Sequence, residues 1–228
     1  MLSRMFQAAH DYNVKNIADL ICQYGVRPKR FCDLGAGDGA VTKQILKSLQ
    51  CDEVHVAEVE GENVQQLGAA GFVVHHCDLN AKLPIESDAF DVVVANQVIE
   101  HLYDTELFLE EVHRITSPGG IAIISTENLA SWHNVAALFL GWQPFSLTNV
   151  SARTGGLGNP VALHRDSVGW PFPLQHHRLF TTRMLRELMA LHGFTELRTA
   201  GSGYYPLPAR FGRLEPSHAH FIVVGGRK

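Results

Sequence analysis

Two periods organise the apolar residues of this chain. Short runs and alternations mark strands: Phe31 to Leu34, Glu53 to Val59 (EVHVAEV), Phe72 to Leu79 (FVVHHCDL) and the start of Phe90 to Leu102 (FDVVVANQVIEHL). Between them the spacing turns helical. A helix is predicted from about Asp11 to Tyr24, and a second near Asp38, where Val41, Ile45, Leu46 and Leu49 fall on one face. From Leu107 to Ile115, apolar Leu107, Phe108 and Val112 are interleaved with Glu110, Glu111 and Arg114, the signature of an amphipathic helix. The alternation runs to about Ser125, and His218 to Val224 reads as a last strand. Alternating strands and helices predict a mostly parallel sheet with right-handed crossovers.

One stretch breaks the pattern. Positions 129–175 are far longer than an ordinary connection and carry Trp132, Trp142, Phe145, Trp170 and Phe172 beside the turn-forming TGGLGNP at Thr154 to Pro160. The expectation is a single domain over 1–228 with this segment as a cap on the substrate side. A greasy cap suits an apolar or mixed substrate.

The chemistry starts at Phe31 to Gly39, FCDLGAGDG, where a buried strand stops at three glycines flanked by Asp33 and Asp38. Glycines let backbone turn sharply and let a ligand lie against it. A phosphate loop presents N–H groups to an anion; two carboxylates here favour a ligand with a cationic end instead. No GK[ST] ending follows, although Gly35, Gly37 and Ala40 formally satisfy G-x-G-x-x-[GA], so a dinucleotide stays open at this point. Glu58 lies about twenty residues on, where a strand-end acid can accept ribose hydroxyls. Asp78 and Leu79 end the third strand and could supply a hydrogen-bond acceptor and an apolar contact for adenine. All of these groups fall at the carboxyl edge of the predicted sheet, where open α/β folds bind ligands.

In this order, FCDLGAGDG, Glu58, CDL (Cys77 to Leu79), FDVVVANQVIEHL, SPGG (Ser117 to Gly120) and ISTEN (Ile124 to Asn128), the chain resembles the class I S-adenosylmethionine-dependent methyltransferases. It looks closest to the small-molecule branch with the IEHL motif, which includes ubiquinone-type O-methyltransferases. HHRLFTTRMLRELMALHGF (His176 to Phe194) is similar to a C-terminal helix and strand of that branch. One departure is the second-strand acid, which sits in AEVEG rather than G-x-D. The resemblance implies a Rossmann-like, doubly wound, seven-stranded sheet with the last strand antiparallel, and S-adenosyl-L-methionine held by Asp33, Gly35, Ala36, Gly37, Glu58, Asp78, Leu79 and Asn96. It implies methyl transfer to a small-molecule acceptor, at oxygen first of all. His101 is the candidate general base, because histidine titrates near neutrality; His133, His164, His176 and His177 compete for the role.

Composition fits and narrows this. With 46% hydrophobic and 18% charged residues the chain is not of the disordered type. Its net charge of −4 supplies no global basic field for nucleic acid. Cys22, Cys32, Cys51 and Cys77 form no C-x-x-C pair, which suits reduced thiols in a cytoplasmic protein. No signal peptide and no membrane-spanning run are expected. His75–His76 and His176–His177 are adjacent, so along a strand their rings point to opposite faces, and no metal is predicted. Two alternatives stand beside the methyltransferase: an NAD-dependent oxidoreductase, which leaves Asp33 and Asp78 without a role, and a non-catalytic S-adenosylmethionine-binding protein.

Overall fold

A computed structural model describes residues 2–171 and 174–228; Phe172, one of the expected cap aromatics, lies outside the described residues. The elements in chain order are α1 (Leu2–Tyr24), β1 (Arg30–Leu34), α2 (Ala40–Leu46), β2 (Glu53–Glu58), α3 (Gly61–Ala69), β3 (Val73–His76), β4 (Phe90–Asn96), α4 (Thr105–Ile115), β5 (Thr116–Glu127), α5 (Trp132–Phe139), α6 (Thr182–Leu191), β6 (Thr195–Ser202) and β7 (Phe221–Arg227). The seven strands form one sheet in the order β3-β2-β1-β4-β5-β7-β6. The pairs from β3 through β5 are parallel, and β7 runs antiparallel to both neighbours.

Strand pleating explains why the central strands read as unbroken apolar runs. Phe31, Val92, Val94, Ile121 and Ile123 enter a core with Val14, Ile17 and Ile21 of α1. Their neighbours Cys32, Val93, Ala95, Ala122 and Ile124 enter the opposite core with Phe108 and Val112 of α4 and Leu185 and Met189 of α6. Successive residues point to opposite faces, and a parallel sheet covered on both faces has no polar side.

Several boundaries differ from the sequence reading, among them the start of the last strand, at Phe221 rather than His218. The first helix starts at Leu2, some nine residues early; Ala9 in the added turns is fully buried, and tertiary packing extends the helix where the sequence has no marked stripe. The third strand ends at His76, because Asp78 folds back to accept the Asn80 amide at 2.8 Å, an Asx turn. The last strand runs on through Gly225 and Gly226 to Arg227. A Cβ on Gly225 would lie 2.9 Å from the Tyr24 ring, so the glycine there permits close approach of the first helix.

No helix among the described residues is long and apolar enough to cross a membrane.

Candidate active site

The chain reverses direction across the sheet between β1 and β4, and a crevice opens there at the carboxyl ends of the strands. Gly35, Gly37 and Gly39 leave β1 with φ of 76°, 55° and 77°, a left-handed turn that suits glycine. The Gly35 amide donates to Ala57 O at 2.8 Å, pinning the loop to the end of β2. A Cβ on Gly35 would meet Val98 at 2.5 Å, whereas one on Gly37 would project into open space. The floor of the loop is thus packed and its outer side is clear for a ligand.

Glu58 ends β2 and is 7% exposed. Its Oε2 accepts the Gly37 amide at 2.8 Å, and its Oε1 accepts the Val59 and Glu60 amides, both at 2.9 Å. Asp33 lies under the loop, 2% exposed, and accepts the Thr42 hydroxyl at 2.5 Å. Burial pushes its carboxyl up to about 7, and the Glu58 charge adds to the effect. Ala36 is buried beneath the loop, Leu79 is buried after β3, and Asp78 is exposed. Asn96, at the end of β4, accepts at its Oδ1 from Asn13 Nδ2 of α1 at 2.8 Å; the same Asn13 amide donates to Ser125 Oγ at 2.8 Å.

These residues fit an S-adenosyl nucleoside. The clear side of Gly37 gives the backbone a cradle that a side chain would fill, and Glu58 beside it is locked in orientation by three amides. A carboxylate offers about four acceptor sites, so at least one is left to receive a ribose hydroxyl. Asp33 is buried beneath the loop and offers no exposed contact surface.

Beyond β4 and β5 lies a cavity of about 450 Å³. Phe6 of α1 and Phe145, Val161, Leu163, Trp170 and Leu174 of the long segment form its apolar walls; His101, Glu127, His133, His176, Tyr205 and His220 form the polar one. His101 sits in a 3-10 turn (Ile99–His101) and its Nδ1 lies 3.1 Å from Gln175 O. Since a carbonyl only accepts, Nδ1 carries the hydrogen and Nε2 keeps its lone pair. Burial pulls His101 down to about 4, and burial pulls His133 down to about 3. Burial would push the Glu127 carboxyl up, but His220, His176 and Ser146 outweigh it and hold the group well below the usual range.

The fold therefore gathers His101, His133, His164 and His176 around one cavity, a meeting that follows from the return of the chain after β5. His177 instead stacks on Tyr103, with centroids 4.4 Å apart. Sequence reasoning passed over Glu127, Tyr205, His220 and Phe6. Glu127 was within reach, inside ISTEN; Tyr205 and His220 stand in loops with no motif around them. Adjacency also hid a grouping: Glu100, His101 and His176 each bring one donor atom within 4.8 Å of the others, a set of the kind divalent ions take.

An open sheet of this order, with a glycine loop and a strand-end carboxylate at its switch point, defines a class I S-adenosylmethionine-dependent methyltransferase fold. A methyltransferase-domain family profile matches residues 5–199, and the chain belongs to that family. The malonyl-[acyl-carrier protein] O-methyltransferase of Halorhodospira halophila is 29% identical over 115 residues, which span 48% of this chain and 39% of that protein. The ubiquinone biosynthesis O-methyltransferase of Maricaulis maris is 25% identical over 237 residues, covering 96% of this chain and 84% of its own. An S-adenosylmethionine-dependent methyltransferase structure from Thermotoga maritima shares the fold at a TM-score of 0.65, with 18% identity, over 100% of this chain and 94% of that one. The methyl donor of this class is S-adenosylmethionine.

Proposed function

We propose that the protein transfers a methyl group to an oxygen of a small molecule held in the cavity beyond β4 and β5. The observation that carries this is the cavity itself: apolar walls for a flat or greasy body, and a polar wall in which His101 and His133 are held neutral. Neutral imidazoles can receive a hydrogen bond from a hydroxyl, and a single carboxylate, Glu127, stands among them on this wall. Both relatives named O-methyltransferase point the same way.

The donor, when bound, supplies an electrophilic sulfonium methyl, so the chain has chiefly to align the acceptor and keep water out. Gly35, Ala36 and Gly37 provide the loop surface, Glu58 takes the ribose, Asp78 and Leu79 face the adenine, Asn96 lies near the reacting end, and Asp33 balances the cationic end. The 129–175 segment, packed against the single sheet domain, acts as the acceptor-side cap. His101 presents its Nε2 lone pair to the cavity and accepts a hydrogen bond from a donor group of the acceptor molecule.

Parallel calorimetric titration with S-adenosylmethionine, S-adenosylhomocysteine and NAD, followed by transfer of labelled methyl to hydroxyl and amine acceptors, tests this. Binding of the two sulfur nucleosides with label on hydroxyl acceptors supports it; label on amines alone overturns the oxygen assignment.

A further inference from the structure

Three strand ends meet at the polar wall of the cavity. Glu127 is the last residue of β5 and pairs in register with Phe221, the first of β7. His220 precedes Phe221, and its backbone is fixed on both sides: Asn128 N donates to His220 O at 2.8 Å, and His220 N donates to Gly203 O at 2.8 Å. Gly203 follows β6, and Tyr205 lies two residues further on. A carboxylate, an imidazole and a phenol are thereby set side by side where three strands end.

Their atoms are in sequence. Tyr205 Oη lies 2.8 Å from His220 Nδ1, and His220 Nε2 faces Glu127 Oε1 at 3.7 Å. Placing the imidazole hydrogen on Nε2, on the side of the Glu127 carboxylate, makes Nδ1 the acceptor of the Tyr205 hydroxyl. His220 is 5% exposed, with the His133 ring packed edge-on at 4.6 Å and Phe221 stacked at 4.1 Å, so its orientation is fixed by packing. Tyr205 lines the cavity, and its oxygen, with its hydrogen given to His220, keeps lone pairs that can accept a further hydrogen bond.

The geometry points to a proton relay, Tyr205 to His220 with Glu127 behind it, that removes the proton from the acceptor hydroxyl during methyl transfer. This rests on the hydroxyl acceptor of the proposed function. As the acceptor oxygen gains the methyl group, the sulfonium leaves as a neutral thioether and the acceptor O–H bond breaks. Its proton goes to Tyr205 Oη while the original phenol proton passes to His220 Nδ1. The imidazolium so formed faces the Glu127 carboxylate and later releases its proton to solvent. Tyr205 is the catalytic residue, His220 stores the proton, and Glu127 is a positioning residue. The depressed basicity of His101 is consistent with this division, since a group protonated only near pH 4 does not hold a proton at neutrality.

Two probe acceptors separate the relay from mere packing: catechol, whose hydroxyls are protonated at neutral pH, and 4-nitrocatechol, which is ionised near neutrality and needs no base. Tyr205→Phe and His220→Gln are expected to lower kcat for catechol about 100-fold, the low end for general base catalysis, and to change kcat for 4-nitrocatechol less than 3-fold. Glu127→Gln lowers kcat for catechol with KM unchanged, and Glu127→Asp restores part of it. Equal losses on both probes would overturn the relay. Histidine nitrogen NMR on the full chain with S-adenosylhomocysteine gives a second, acceptor-independent readout: His220 must show an unprotonated Nδ1 whose signal moves in Tyr205→Phe. A protonated Nδ1 untouched by that change would also overturn it. If the wild type binds S-adenosylmethionine yet methylates neither probe, these two molecules are not its acceptors, and the NMR result alone decides whether the Tyr205–His220 pair is built as described.

Discussion

Glu58 Oε2 receives the Gly37 amide at 2.8 Å, which ties the end of the second strand to the apex of the glycine loop. With the Val59 and Glu60 amides on its other oxygen, this carboxylate organises the loop before any ligand arrives. Glu58→Gln replaces one acceptor oxygen by an NH2 that meets an N–H donor, so a contact turns repulsive. We expect S-adenosylmethionine affinity to fall at least 10-fold and the melting temperature to drop by several degrees, read by calorimetric titration and thermal unfolding. An unchanged affinity would detach Glu58 from the nucleoside site.

Gly35 and Gly37 make a matched pair for separating folding from binding. Gly35→Ala places a Cβ 2.5 Å from Val98 at a φ of 76°, so it should destabilise the protein by about 2 kcal/mol or more. Gly37→Ala adds its methyl to open space at a φ of 55° and should cost only about 1 kcal/mol, the strain of the left-handed backbone. Yet it should weaken S-adenosylmethionine binding more than 10-fold, because the methyl occupies the cradle. Thermal unfolding and titration of both variants would show the two effects uncoupled.

Asp33 links stability to pH. Burial raises its folded value to about 7, above an unfolded value of about 4. The neutral form is favoured in the folded state, so its contribution is fully present below about pH 4 and is lost as pH rises through 7. Asp33→Asn removes that loss: it should match wild-type stability near pH 4 and exceed it by roughly 2–4 kcal/mol at pH 8.5, at about 1.4 kcal/mol per unit. Binding of the cationic donor should run the other way, tightening in the wild type as pH rises through 7 and staying flat in the variant. Chemical denaturation and titration at pH 5, 7 and 8.5 give both curves.

Trp132 opens α5 and anchors the long segment to the β6–β7 connection. Its Nε1 donates to Tyr204 Oη at 2.7 Å, its ring stacks on His218 at 4.2 Å, and Tyr204 in turn donates to Glu215 at 3.1 Å. Trp132→Ala should leave S-adenosylmethionine affinity within 2-fold while speeding hydrogen exchange from α5 through the cavity wall. Hydrogen exchange by mass spectrometry would locate the effect; no change there would make the anchor ornamental.

What could be read in advance follows from where the information lies. The glycine loop, Glu58 and the central strands were legible because each is local: Phe31 to Gly39 carries its own start, stop and chemistry within nine residues. Asn96 was legible as a strand end, but its partnership with Asn13 spans 83 residues and leaves no local trace. The same holds for the polar wall of the cavity. Glu127, Tyr205 and His220 belong to three different strand ends, and only the antiparallel insertion of β7 between β5 and β6 makes them neighbours. The end of the last strand was not legible either: Gly225 and Gly226 continue it, and their lack of side chains makes room for Tyr24 and Phe194.

The first helix reaches both halves of the site, with Asn13 bonded to the ends of β4 and β5 and Phe6 in the acceptor wall. Its opening turns and the segment between β5 and α6 together make up the apolar lining, and neither contributes a strand to the sheet. The apolar lining of the cavity is therefore a module separate from the sheet. On the proposed function, the body of the acceptor could change by exchange of these two pieces while the seven strands and the donor loop stay as they are.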